Sequence, residues 1–181
     1  MAETPRWREE RARVFFALWP DASTAKVLHG LADATKQRFG GRAMRIDTLH
    51  LTLAFIGGMP RVRLPELLAI GAAVAPRAVD LSLDVLGEWS RKHIVWAGPE
   101  RVPEPLAALA AELQSALVTA GFALEARPFV PHVTLLRNAA CATHRTPLEP
   151  PVCWRADGFV LVESKLLPSG ARYEMLGRWH T

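Results

Sequence analysis

Residues 50–57 read HLTLAFIG, and residues 128–137 read PFVPHVTLLR. The first stretch has the composition of a buried strand, except that it begins with an imidazole and carries a hydroxyl two residues later. Side chains alternate across a strand, so His50 and Thr52 project to one side while Leu51 and Leu53 project to the other. Taken alone, this is also how a histidine at a strand end beside an ordinary strand-forming threonine looks. The second stretch repeats the pattern in His132, Val133, Thr134 and Leu135. Two such couples facing each other set two imidazoles and two hydroxyls around one point, which suits acid–base work on a phosphate.

The elements around the two motifs follow the same order twice. VFFALWP reads as a strand ended by Pro20, and DASTAKVLHGLADATKQRFGG as a helix with capping residues at its start and Gly40 and Gly41 at its end. RIDTLHLTLAFIG is the first motif strand, followed by a helix over about 64–75 and the alternating strand VDLSLDVLGEW. The order then restarts with the strand HIVWAGP, ended by Pro99, an alanine- and leucine-rich helix within VPEPLAALAAELQSALVTAGF, and the second motif strand. WRADGFVLVESKLL and ARYEMLGRWH read as two strands joined by the PSG turn, and 137–152 reads as irregular. Pro20 lies 30 residues before His50 and Pro99 lies 33 before His132. This spacing predicts two similar units, 14–87 and 92–167, within one bilobal domain of residues 14–181, each unit supplying one motif strand to a shared cleft. Residues 1–13, rich in arginine, read as a basic N-terminal arm.

The chain has 181 residues, half of them hydrophobic, enough for one compact core and too apolar for disorder over most of its length. No apolar run approaches the roughly 20 residues of a membrane span, and the charged N-terminus does not resemble a signal peptide. The expectation is a cytoplasmic monomer with no membrane partner. Cys141 and Cys153 are too few for a disulfide framework and lack the close pairs of zinc sites. The formal charge is +4, and arginine supplies 18 of the 22 basic side chains. That balance is compatible with a phosphate-bearing partner and equally with ordinary surface charge.

The pair HLTL and HVTL, with FFALWP, RPFVPHVTLLR and ESKLLPSGARYEML, resembles the two-histidine (2H) phosphoesterase superfamily, and within it the bacterial RNA 2',3'-cyclic phosphodiesterases, also called 2'-5' RNA ligases. The resemblance spans about Val14 to Trp179. It implies an α+β fold: a bilobal 2H phosphoesterase (LigT-like) domain of two pseudo-symmetric antiparallel sheets, helices on their outer faces and a central cleft. It places His50 and His132 as the catalytic pair, Thr52, Thr134 and Arg137 on the phosphate, and Phe16 in a nucleotide-stacking position. The approach to the first motif, RIDTLH, departs slightly from the more frequent family pattern and leaves the four motif residues intact. The substrate implied is RNA or a nucleotide ending in a 2',3'-cyclic phosphate.

Such a reaction needs a base to take a proton from water and an acid to protonate the departing ribose oxygen. Two imidazoles with ordinary pKa values near 6.5 can hold both roles at neutral pH. The expected assignment has His132 as base and His50 as acid toward the 3'-oxygen, leaving a 2'-phosphate; the reverse assignment stays open. Run backwards, the same groups join a cyclic phosphate end to a 5'-hydroxyl. Threonine is a poor partner for histidine in a zinc site, so no metal or other cofactor is expected. His29, His93, His144 and His180 lack the motif context, and Arg42, Arg45, Arg91 and Arg127 are candidates either for lining the cleft or for plain surface charge. The alternatives are another cyclic phosphate or a 2'-5' oligonucleotide as substrate, or a catalytically silent RNA-binding module.

Overall fold

The structure, a computed structural model, describes residues 10–124, 127–168 and 170–181. The chain runs β1 (Arg11–Leu18), α1 (Ala22–Phe39), β2 (Arg42–Ala43), β3 (Leu51–Pro60), α2 (Leu64–Ala73), β4 (Val79–Trp89), β5 (Ile94–Gly98), α3 (Glu104–Thr119), β6 (Val133–Arg137), β7 (Arg145–Ala156), β8 (Gly158–Leu167) and β9 (Gly170–His180). Local chemistry sets the ends of α1. The Asp21 carboxylate accepts from the backbone N–H groups of Ser23 and Thr24, and Gly40 closes the helix at φ 62°.

The strands form one antiparallel sheet in the order β7-β4-β5-β6-β3-β1-β8-β9, with the short β2 on β6. Its centre is thin. Among the described residues β3 and β6 meet through one pair, Leu51 opposite Val133, whereas β1 and β3 pair from Arg11–Pro60 to Leu18–Leu51. The two expected sheets are therefore the halves β3-β1-β8-β9 and β6-β5-β4-β7 of one hydrogen-bonded surface, hinged at a point between the motifs. The strands do not sort by position in the sequence. β4 lies beside β5 and β7, while β8 lies beside β1.

One face of both halves packs on the helices, with Phe16, Leu28, Leu53, Leu67, Leu109 and Leu135 fully buried in one continuous core. α1 lies against β6 and α3 against β3, so each long helix braces a motif strand. Truncating any of these leucines costs about 2–5 kcal/mol. The other face carries two smaller apolar clusters, Phe15, Ala17, Val160 and Val162 on one half and Val85, Ile94 and Trp96 on the other.

Three sequence expectations change. Residues 145–152, read as irregular because of Pro147, Pro150 and Pro151, belong to β7. That strand lies at the edge of the sheet, where a missing N–H leaves no ladder partner unsatisfied. The first strand starts at Arg11 rather than Val14, so Arg11 and Arg13 belong to β1 and not to a loose arm; residues 1–9 of that arm, and Ser169 of the PSG turn, lie outside the described residues. Residues 46–48, read as the start of the first motif strand, form a 3-10 turn that delivers His50 to the strand. No described helix is long and apolar enough to cross a membrane.

Candidate active site

The single bridge between the two halves organises the site. Continuing the antiparallel pairing of Leu51 with Val133 by one residue each way sets His50 opposite Thr134 and Thr52 opposite His132. All four lie on the face opposite Leu51 and Val133, which are fully buried in the core. The histidines are then diagonal neighbours, with backbone positions about 7–8 Å apart, a spacing commensurate with one phosphate between the ring tips.

Each motif is followed by an irregularity at the same place. Against β1, the pairs Phe16–Ala54 and Ala17–Thr52 leave Leu53 as an extra residue in β3. Against β5, the pairs Val95–Leu136 and Trp96–Thr134 leave Leu135 as the extra residue in β6. A bulge shifts the alternation by one, so Leu53 with Ala54, and Leu135 with Leu136, both enter the core. The residue five beyond each histidine turns back to the motif face: Phe55 in the first copy and Arg137 in the second. Gly41, at φ 75°, lets the backbone beside β2 approach that position, since a Cβ there would meet the Arg137 carbonyl at 2.6 Å.

The rings are held alike. His50 Nδ1 lies 2.8 Å from the Thr48 carbonyl and His132 Nδ1 lies 2.8 Å from the Val130 carbonyl, each two residues upstream. A carbonyl only accepts, so each Nδ1 carries hydrogen and each Nε2 lone pair is left for the cleft. Aromatic walls then fix the planes. Trp19 stacks on His50 with centroids 5.5 Å apart, and Phe15 and Tyr173 close two further sides at 4.7 and 5.3 Å. Trp89 meets His132 edge-on at 4.6 Å. Neither Thr52 nor Thr134 has its hydroxyl tied to another side chain or carbonyl among the described residues, leaving both as donors for a ligand.

Electrostatics favour an anion. Both histidines line a cleft of about 720 Å³, with Arg13, Arg42, Arg45 and Arg137 on its walls and no Asp or Glu among the described lining residues. Arg45 is bound by Asp47 at 2.9 Å; Arg13 lies over the Phe55 ring at 4.7 Å. Burial pushes the His50 imidazole down to about 4; its bond to the Thr48 carbonyl opposes this, while His132 and Arg137 add to it. Burial likewise lowers His132, with Lys92 and Arg137 adding to the effect. Burial raises Tyr173, against the pull of Arg137 and Arg13. Both imidazoles are thus neutral in the empty site at neutral pH.

Of the residues singled out in the sequence, His50, His132, Thr52, Thr134 and Arg137 come together. Phe16 does not. It is fully buried against Phe159 and Trp179 on the helix-packed face, because it lies one residue out of phase with the cleft; Phe15 takes the cleft side. Arg42 and Arg45 line this cleft, whereas Arg91 and Arg127 do not. Sequence reasoning missed Arg13, Trp19, Trp89 and Tyr173. The available signal was weak: tryptophans at the ends of two strands, and the chain's one tyrosine in ARYEML.

Chemically, two Nε2 atoms, two hydroxyls and a guanidinium around an anion-attracting gap can move one proton on each side of a phosphorus centre while holding its non-bridging oxygens.

Comparison with known proteins points to one family. A family model described as the 2'-5' RNA ligase superfamily matches residues 17–166. The chain is 33% identical over 171 residues to the Escherichia coli protein named RNA 2',3'-cyclic phosphodiesterase, covering 94% of this chain and 97% of that one. It is 30% identical over 181 residues to the Thermus thermophilus protein of the same name, covering 92% and 89%. Among solved structures, E. coli LigT complexed with 3'-AMP superposes with a TM-score of 0.85 at 32% identity, covering 94% of this chain and 98% of that one.

Proposed function

The chain belongs to the 2'-5' RNA ligase superfamily, and from that membership together with the paired imidazoles we infer that it hydrolyses RNA and nucleoside 2',3'-cyclic phosphate ends to 2'-phosphates, without a metal ion. The observation that carries this is the matched tethering of His50 and His132. Each Nδ1 donates to the carbonyl two residues upstream, and each Nε2 is turned to the same cleft.

His132 takes the proton from water at Nε2, water attacks phosphorus, and the P–O bond to the 3'-oxygen breaks as His50 Nε2–H protonates it. Two features support this direction. His50 is enclosed by Phe15, Trp19 and Tyr173, a pocket for a ribose and base. His132 also borders a second groove from which a nucleophile can enter. Thr52 and Thr134 donate to the non-bridging oxygens, and Arg137 balances the charge that develops there. The substrate anion itself restores the proton that burial drives from His50, so the acid is charged only when there is a phosphate to act on.

The same reading has one bilobal domain, residues 11–181 with β1 included, working as a monomer in the cytoplasm. The free thiols of Cys141 and Cys153 suit a reducing compartment. The test is incubation with a 2',3'-cyclic nucleotide in EDTA, followed by identification of the hydroxyl that keeps the phosphate. A 2'-phosphate product is expected, with kcat falling about 10²–10⁴-fold in His50→Ala and in His132→Ala. Undiminished turnover in both variants, or a 3'-phosphate product, overturns the assignment.

A further inference from the structure

β2 pairs with the end of β6 in a register that sets Arg42 directly opposite Arg137. Residues directly opposite in an antiparallel pair carry their side chains on one face with Cβ atoms about 4.5–5.5 Å apart, and like charges so placed repel. Nothing nearby cancels them. Both arginines line the first cleft, which has no Asp or Glu among its described lining residues. Among the described residues the Arg42 side chain makes no ion pair and no hydrogen bond. Arg45 differs, because Asp47 holds it through both carboxylate oxygens. Two adjacent cations without a carboxylate repel each other until an anion lies between or upon them.

The shape of the cleft says that one anion does not occupy both. Arg137 stands beside the four motif residues and acts on both imidazoles. Arg42 lies one strand farther out. From the motifs the cleft continues to Met44 and Arg42 on one half and to Leu166, Leu167 and Gly170 of the β8 and β9 hairpin on the other. Gly170 has φ 116°, and a Cβ there would lie 3.4 Å from Arg42 Nη1. The Arg42 guanidinium therefore reaches from one half to the hairpin of the other, at the outer end of the cleft. A ribose whose cyclic phosphate lies between the histidines is joined to the rest of an RNA through its 5'-oxygen, so the next phosphate is one ribose away. A free cyclic nucleotide has no such second anion.

We propose that Arg42 binds the phosphodiester on the 5' side of the terminal nucleotide, so that the cleft selects an oligonucleotide end over a free cyclic nucleotide. This rests on the reaction assigned above and adds a second phosphate subsite to it. The second phosphate does not react, so the contact is equally strong before and during bond breaking. It lowers KM and leaves kcat to the motif residues. Arg42 is thus a specificity-determining residue.

The experiment compares three substrates: 2',3'-cyclic AMP, the dinucleotide ApA ending in a 2',3'-cyclic phosphate, and the same dinucleotide with a neutral methylphosphonate as its internal link. For the wild-type chain, KM on the charged dinucleotide is about tenfold below KM on the other two, the share of one charge-assisted hydrogen bond. Its kcat stays within about twofold. In Arg42→Gln the advantage of the charged dinucleotide disappears, and the dependence of log KM on log salt for that substrate flattens by about 0.7. In Arg45→Gln the advantage remains. A change that only disturbs the fold moves all three substrates together. Equal KM values in the wild-type chain, an advantage that survives on the methylphosphonate, equal losses on all substrates in Arg42→Gln, or the same loss of advantage in Arg45→Gln overturns the subsite and leaves the cyclic phosphodiesterase standing. Failure of the wild-type chain on every one of these substrates takes down both.

Discussion

The pH dependence of turnover tests the site at its most specific point, the claim that substrate charges its own acid. Burial lowers His50 from 6.5 to about 4, which corresponds to about 3 kcal/mol against holding a proton in the empty cleft. A phosphodiester anion about 4 Å from Nε2 returns about 4 kcal/mol at an effective dielectric of 20, enough to cancel that penalty. The active form carries one proton shared between the pair, and its population in the free enzyme peaks midway between the two macroscopic values. With His50 at about 4 and His132 held below 6.5, the maximum of kcat/KM falls at about pH 5 or lower, and the rate drops severalfold between about pH 6 and pH 7. kcat reports the complex, where the bound anion favours the protonated acid, so its alkaline limb lies at higher pH. Initial rates on 2',3'-cyclic AMP from about pH 4 to pH 9, fitted separately for the two parameters, measure both limbs. A kcat/KM maximum at or above 6.5, or alkaline limbs that coincide, refutes the account of His50, since either means that binding does not change its proton affinity.

Further outcomes follow from the same coordinates. Removing the charge in Arg137→Gln relieves one of the influences that depress His50, His132 and Tyr173; the kcat/KM maximum moves to higher pH while its height falls, and an unmoved maximum shows that the guanidinium does not act on the pair. Phe16→Ala opens a cavity in the helix-packed core and costs about 3–5 kcal/mol in urea unfolding. Phe15→Ala instead raises KM for the cyclic nucleotide, and equal behaviour of the two variants contradicts the strand phase. The acid stability of the fold carries His50 as well. Its native pKa of about 4 lies below the unfolded 6.5, so between these values the unfolded chain binds more protons. Stability falls as pH falls through that window, by about 3 kcal/mol in all, and no further from this group at lower pH. In His50→Gln that portion of the loss disappears, as chemical unfolding at about pH 7 and pH 4.5 will read.

How much of this was legible in the residues depends on the bulges. Alternation within HLTL and HVTL places imidazole and hydroxyl on one face, and this survives because the histidine and threonine of each motif both precede the irregularity at Leu53 and Leu135. Just past Leu53 and Leu135 simple alternation puts side chains on the wrong face. It turns Ala54 and Leu136 toward the cleft, and Phe55 and Arg137 toward the core, the reverse of their places. Arg137 entered the sequence reading through resemblance and not through periodicity. The same reasoning explains Phe16. Two phenylalanines in succession offer one to each face, and only the pairing of β1 with β3 and β8 decides which.

Other parts depended on contacts far apart in sequence. Tyr173, Trp19 and His50 come from β9, the end of β1 and the approach to β3, and the strand order alone brings them together. The prolines of β7 pointed away from a strand because edge and interior cannot be distinguished until the neighbours are known.

The bulges also bear on how the two copies came to differ. Their backbone is matched through the histidine, the threonine and the extra leucine, and the copies then diverge at the fifth position, phenylalanine in one and arginine in the other. Arg13 of β1, resting on Phe55, returns a cation to the copy that lacks one. The site is therefore close to two-fold in charge as well as in imidazoles. Its asymmetry lies in the walls, aromatic and enclosed around His50 but open to the second groove at His132. In the proposed reaction the motifs carry the chemistry, and the walls determine which oxygen leaves.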